Sequence, residues 1–248
     1  MPSTRLGRRS FIGLLAGAFA GAVGVMLYGS RVFERPSPYS TEMAETIQAV
    51  SSPRTSGAVS VEEALAKRRS VREYADSPLT SEEVMQLLWA AQGITLPQYG
   101  FRTAPSAGGT YPLEIYMVTR SSGVEGLEAG IYHYEPRDHR LVERIRGDFS
   151  AQLMAAALNQ EWVGAAPANF VITAIFERTT RKYGDRGERY VWQETGHAAQ
   201  NVYLQAVALG LGNVVIGAFH DAEVQRLLGL PDFEKPAYVI PIGRLKTR

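Results

Sequence analysis

Two stretches of the chain are apolar on both faces of an extended backbone. Residues 113–119, LEIYMVT, and 169–176, NFVITAIF, lack the alternation of a half-exposed strand and predict strands interior to a sheet. NVVIGAF (213–219) and AYVIPIG (237–243) have the same character and predict a third and a fourth. GIYHYEP and HRLVERI, joined through RDH, read as a hairpin. Between these runs the period changes to that of a helix. From about Glu188 to Leu209, apolar residues recur as Ala198/Ala199, Val202/Tyr203 and Ala206/Val207, which predicts a long helix buried along one side.

Shorter helices are marked by their caps. Ser60-Val-Glu-Glu63 is a capping-box pattern opening a helix that runs to about Arg69. Thr80-Ser-Glu-Glu83 opens a second, with Val84, Leu87, Leu88 and Ala91 on one face and Gly93 at its end. Residues 148–159 fit another short helix, and Asp221 is placed to cap one ending at Leu228. This order of elements predicts an α+β domain in which helices flank a mixed central sheet and one long helix lies at the centre.

The domain begins at Ser60 on this reading. Residues 36–59 are rich in Pro, Ser and Thr and are expected to form a flexible linker. Residues 1–35 are of a third kind. Arg8 and Arg9 precede Ser10, Phe11 and Ile12, and a Gly- and Ala-rich apolar run follows to Tyr28. The pattern resembles a twin-arginine export signal, with a membrane anchor as the alternative, because about eighteen residues can just cross the hydrocarbon. The expected location is therefore extracytoplasmic, reached through the twin-arginine machinery.

Composition narrows the chemistry. Residues that are 45% apolar and 21% charged suit a globular domain, and a net charge of +1 provides no surface for nucleic acid. The first 35 residues hold five arginines against Glu34 alone, so the remainder is mildly acidic. The absence of cysteine excludes disulfides, thiol catalysis and cysteine-ligated metal clusters. Glu194-x-x-His197 has the spacing of a carboxylate metal site but occurs once, where such sites need the pair twice, so no metal is expected. Neither GxGxxG, GxxxxGK[ST] nor GxSxG is present.

Four segments remain. RRSVR places Arg68, Arg69 and Arg72 around Ser70 where a helix ends. Guanidinium forks and a hydroxyl suit a phosphate, although arginines also suit a helix C-terminus. Pro105, Ser106, Ala107, Gly108 and Gly109 form a loop with little side-chain bulk, where backbone can approach a flat ligand. Gly217 makes a similar offer at the end of a strand. RTTRKYGDRGERY (178–190) reads as a basic loop or as the setting of an acid–base pair, Lys182 and Tyr183, since burial lowers a lysine pKa toward neutrality.

RRSVREY, PSAGGTYPLEIY, ETGHAAQNVYLQAVALGLG, NVVIGAF and PIGR occur in one order over residues 60–244. Together they resemble the nitroreductase-like flavoproteins, and the PSAGGTYPLE form is similar to the SagB/ThcOx-type dehydrogenase branch. The resemblance implies a homodimer holding FMN at its interface. It assigns Arg68, Arg69, Ser70 and Arg72 to the FMN phosphate, ribityl chain and pyrimidine edge. Residues 105–109 match a loop reaching the flavin, in many relatives from the other subunit. Val215, Ile216, Gly217 and Ala218 match the backbone over the ring, and Arg244 a phosphate clamp. Lys182 and Tyr183 match a pair assigned to proton abstraction in azoline-oxidising relatives.

The implied function is FMN-dependent hydride transfer between flavin N5 and a small-molecule or peptide-derived substrate, with an electron donor or acceptor left open. NAD(P)H-dependent nitro or flavin reduction and flavin binding without turnover are the alternatives. Only four residues follow Arg244, so the C-terminal arm of many relatives is expected to be missing.

Overall fold

A computed structural model describes residues 46–47 and 52–246, and the expected export signal lies outside them. Seven strands form the central sheet in the order β1-β6-β5-β4-β7-β9-β8. They are β1 (Thr46–Ile47), β4 (Leu113–Thr119), β5 (Gly130–Glu135), β6 (Arg140–Arg146), β7 (Ala168–Ile175), β8 (Leu211–Asn213) and β9 (Glu234–Arg244). Neighbouring strands are antiparallel throughout. Parallel pairing is confined to two single bridges, Ser70 with Asn213 and Leu79 with Val124. A separate hairpin joins β2 (Ile94–Leu96) to β3 (Phe101–Arg102).

The doubly apolar strands have their physical reason in two cores. Leu113, Ile115 and Met117 of β4 point into one, and Tyr116 and Val118 into the other. The first core is closed by α2 (Ser81–Gln92) and α6 (Arg186–Ala208), with α1 (Val61–Lys67) packed on α6. The second is closed by α3 (Ser150–Ala156), α4 (Glu161–Ala165) and α7 (Asp221–Leu227). Full burial of such side chains contributes about 1.5–3 kcal/mol each, which fixes the strand faces and the helix layers together.

The capping predictions hold for two helices. The Ser60 hydroxyl accepts the Glu63 N–H at 3.1 Å, and Thr80 with Glu83 forms a reciprocal capping box. Asp221 does not cap α7, because it is the first helical residue and His220 occupies the cap position. NVVIGAF is not a continuous strand. Pairing with β9 stops at Asn213 and resumes only at a bridge between Ile216 and Val239. RTTRKYGDRGERY is not a loop either: it forms α5 (Glu177–Tyr183), a break at Gly184 and the start of α6. The 36–59 segment is not wholly a linker. Thr46 and Ile47 pair with Val142 and Leu141, and the Arg54 backbone exchanges two hydrogen bonds with the Gln86 amide.

Candidate active site

The RRSVREY segment leaves α1 and crosses the end of the sheet. It lies flat because Gly212 and Gly243, cross-strand partners on β8 and β9, present no side chain there. A Cβ at Gly212 would come within 2.7 Å of Val71, and one at Gly243 within 2.7 Å of Tyr74. The Val71 N–H donates to the Asn213 carbonyl at 2.9 Å. Ser70 thereby stands beside the strand end at 213–215.

Tyr203 of α6 joins these pieces. Its hydroxyl accepts the Val215 N–H at 2.9 Å and lies 3.1 Å from the Ser70 hydroxyl. That bond explains the break in the predicted third strand, since Val215 turns its N–H to a tyrosine and away from the sheet. Ile216 then exchanges both backbone bonds with Val239, after which Gly217 and Ala218 emerge to solvent.

The arginines divide. Arg68 lies over the Tyr203 ring at 5.0 Å and Arg72 over the Trp162 ring at 5.4 Å. Stacking occupies the face of a guanidinium and leaves its N–H edge available. Neither has a carboxylate partner among the described residues. Arg69, assigned to FMN by the resemblance, instead donates to the Ala66 and Arg68 carbonyls at 3.0 and 2.7 Å. It closes the C-terminal end of α1, where unpaired carbonyls and the helix dipole favour a cation. Arg244 also departs from its expected place at the phosphate. Its guanidinium is bidentate to Glu83, both contacts at 2.9 Å, and donates to the Pro78 carbonyl. Glu83 was already drawn toward this spot by its capping role, and a partly buried carboxylate there recruits the nearest fixed cation.

A second cluster forms at the other end of α6. Residues 105–109 make a turn in which Gly108 and Gly109 have φ of +61° and +66°. The Lys182 ammonium donates to the Gly108 carbonyl at 3.2 Å. A Cβ on Gly108 would sit 2.5 Å from both Lys182 Nζ and the Tyr183 hydroxyl oxygen. The glycine loop and the Lys-Tyr pair, distant in sequence, thus meet. Lys182 is exposed in the single chain, so the desolvation expected for it is not supplied by this chain alone. Tyr183 packs edge-on against Tyr190 with ring centroids 5.1 Å apart.

Below this cluster lies a polar layer. The Ser106 hydroxyl accepts the Tyr111 N–H at 2.9 Å and hydrogen-bonds Glu194, which is 2% exposed. Burial pushes the Glu194 carboxyl up to about 7, against the opposing pull of Ser106 and Arg102. His197 faces solvent, so the Glu194/His197 pair is split between two sides of the helix. Glu114 is the opposite case. Burial would raise it, but the His133 hydrogen bond and then Arg178 outweigh that and hold it at about 2.

Tyr203, Trp162 and Glu194 were not predicted as site residues. Tyr203 read as one more apolar position of the long helix, and its phenolic oxygen was the available signal.

One helix thus carries two half-sites. Tyr203 and Glu194 are nine residues apart, about 14 Å along α6. A three-layer α+β fold with a cationic hydroxyl-bearing patch and a lysine–tyrosine pair is the arrangement of the flavin-using oxidoreductases. The chain belongs to the nitroreductase family, whose model matches residues 65–244. It is similar to a Methanocaldococcus jannaschii protein named a nitroreductase, 49% identical over 186 residues, covering 75% of this chain and 91% of that one. The microcin B17-processing protein McbC of Escherichia coli is 33% identical over 134 residues, covering 52% of this chain and 48% of that one. A crystal structure from Ralstonia eutropha, also named a nitroreductase, matches with a TM-score of 0.71 and 29% identity over 88% of this chain and 96% of that one.

Proposed function

We propose that the chain is an FMN-dependent oxidoreductase of the SagB-type dehydrogenase branch, acting as a homodimer on a small-molecule or peptide-derived substrate. The observation that carries this reading is the Tyr203 hydroxyl, which ties Ser70 to the Val215 amide and so joins two cofactor-type segments. Similarity to McbC, whose name assigns it to microcin B17 processing, supports the branch.

The residues present fit FMN. Arg68 and Arg72 are stacked, free of carboxylates and beside an exposed hydroxyl, a donor set suited to a phosphate monoester and the polar edge of a ring. Gly217 and Ala218 are exposed, and their N–H groups make no hydrogen bond among the described residues. FMN, when bound, supplies a hydride acceptor or donor at N5.

Within the chain, Arg68 and Ser70 hold the phosphate end, and Arg72 places positive charge where reduced flavin is anionic. The Gly217 and Ala218 backbone orients the ring. Lys182 or Tyr183 takes the substrate proton as hydride leaves, or returns it in the reverse direction. The 14 Å offset along α6 supports the dimer: a second copy brings its 105–109 loop and Lys-Tyr pair to the first copy's cationic patch. An extracytoplasmic location, proposed from the Arg8/Arg9 pattern, favours oxygen, quinone or another carrier over NAD(P)H as electron partner.

The test is the absorption spectrum of the purified full-length chain, with release of the flavin for mass measurement. Yellow protein containing FMN is expected. A colourless chain that cannot be reconstituted with FMN rejects the proposal. Lys182→Met and Tyr183→Phe are expected to abolish substrate oxidation while sparing FMN content; loss of FMN would assign them a structural role instead.

A further inference from the structure

Glu194 is a buried acid with no part in the mechanism above. It is 2% exposed, and its Oε1 atom has no hydrogen-bond partner among the described residues. Burying a carboxylate with an unpaired oxygen is costly, so such a group persists in a well-packed helix only where something offsets the cost. Its one hydrogen-bonding neighbour is the Ser106 hydroxyl.

The bonding of Ser106 sets the direction. Its oxygen already accepts the Tyr111 N–H, so the hydroxyl proton is available to Glu194. The Ser106 carbonyl accepts the Gly109 N–H at 3.2 Å, and the Ala107 carbonyl accepts both the N–H and the hydroxyl of Thr110. Ser106 therefore anchors the start and the end of the turn. At the crest of that turn the Gly108 carbonyl receives Lys182.

We propose that Glu194 is a positioning residue for the Lys-Tyr pair: ionised beneath the turn, it holds Ser106 and through it the Gly108 carbonyl on which Lys182 is seated. This rests on the reading of Lys182 and Tyr183 as the proton-transfer pair. An ionised carboxylate accepts a stronger hydrogen bond than a protonated one, so the seat is firm when Glu194 has lost its proton and loosens when it regains it. Among the described residues, the charged group acting on Glu194 is Arg102 of β3, which lies beneath the same turn. The carboxyl changes state near neutral pH because burial raises it and Ser106 and Arg102 only partly oppose that.

Hydrogen exchange on the full chain without added flavin tests this directly. After correction for intrinsic chemistry, the amides of residues 107–111 are expected to exchange about tenfold faster below the Glu194 inflection than above it, the size of a charge-assisted hydrogen bond. In Glu194→Gln that pH dependence disappears. In Ser106→Ala it also disappears, and the Glu194 carboxyl followed by carbon NMR titrates at a higher pH. A turn whose exchange is independent of pH in the wild type, or whose dependence survives Glu194→Gln, overturns the inference. The measurement needs no FMN, so a chain that fails to bind flavin rejects the proposed function separately. With FMN bound, turnover should show an inflection near neutral pH that Glu194→Gln lacks while retaining its flavin.

Discussion

The Tyr203 hydroxyl lies 3.1 Å from the Ser70 hydroxyl across 133 residues of sequence, and the same oxygen receives the Val215 N–H at 2.9 Å. Tyr203→Phe keeps the ring beneath Arg68 and removes only this junction. The Val215 N–H is then left without its partner, at a cost of about 1–2 kcal/mol. A lower urea midpoint and weaker FMN binding should appear together. A variant matching the wild type in both would show that the junction holds nothing in place.

Gly108 adopts a left-handed conformation facing two side chains. Gly108→Ala adds about 1–2 kcal/mol of backbone strain and drives a methyl group into Lys182 and Tyr183. Turnover should fall further than flavin occupancy, measured by absorbance on the same sample. Equal losses would mean that the loop serves the cofactor alone.

Arg244 and Arg68 were both expected at the phosphate, and the structure separates them. Arg244→Ala breaks a bidentate pair and leaves Glu83, also the cap of α2, without its counter-charge. Stability should drop by about 2 kcal/mol with little change in FMN affinity. Arg68→Ala should do the reverse, weakening FMN by about tenfold or more. Titration of both variants with FMN at two salt concentrations decides this. Equal loss of FMN in the two would return Arg244 to the phosphate.

Glu114 predicts a pH dependence of known sign. Its folded value of about 2 lies below the ordinary 4.5, so its pairing stabilises the fold above pH 4.5, and that contribution is lost as pH falls toward 2. Glu114→Gln should therefore be most costly near neutral pH, with the gap to the wild type closing in acid. Urea unfolding at pH 7, 4 and 3 measures it. A gap that stays constant would remove the carboxylate's charge as the cause.

Doubly apolar runs such as LEIYMVT announced buried strands because a strand covered on both faces leaves no position for a polar residue. The capping boxes at Ser60 and Thr80 were equally plain, since a cap needs a particular side chain three residues before its partner. The order of RRSVREY, PSAGGTYPLE and PIGR was enough to indicate the family and most of the cofactor segments. These are local patterns, and local chemistry is written residue by residue. Which arginine meets the ligand was not. Arg68, Arg69, Arg72 and Arg244 are chemically alike, and only the folded chain shows a helix end recruiting one and Glu83 another. Tyr203 and Glu194 were likewise invisible as site residues, because a long helix passes them off as core positions until its neighbours bring Ser70 and Ser106 against them. Those choices depend on contacts between segments far apart in sequence, which no periodicity along the chain encodes.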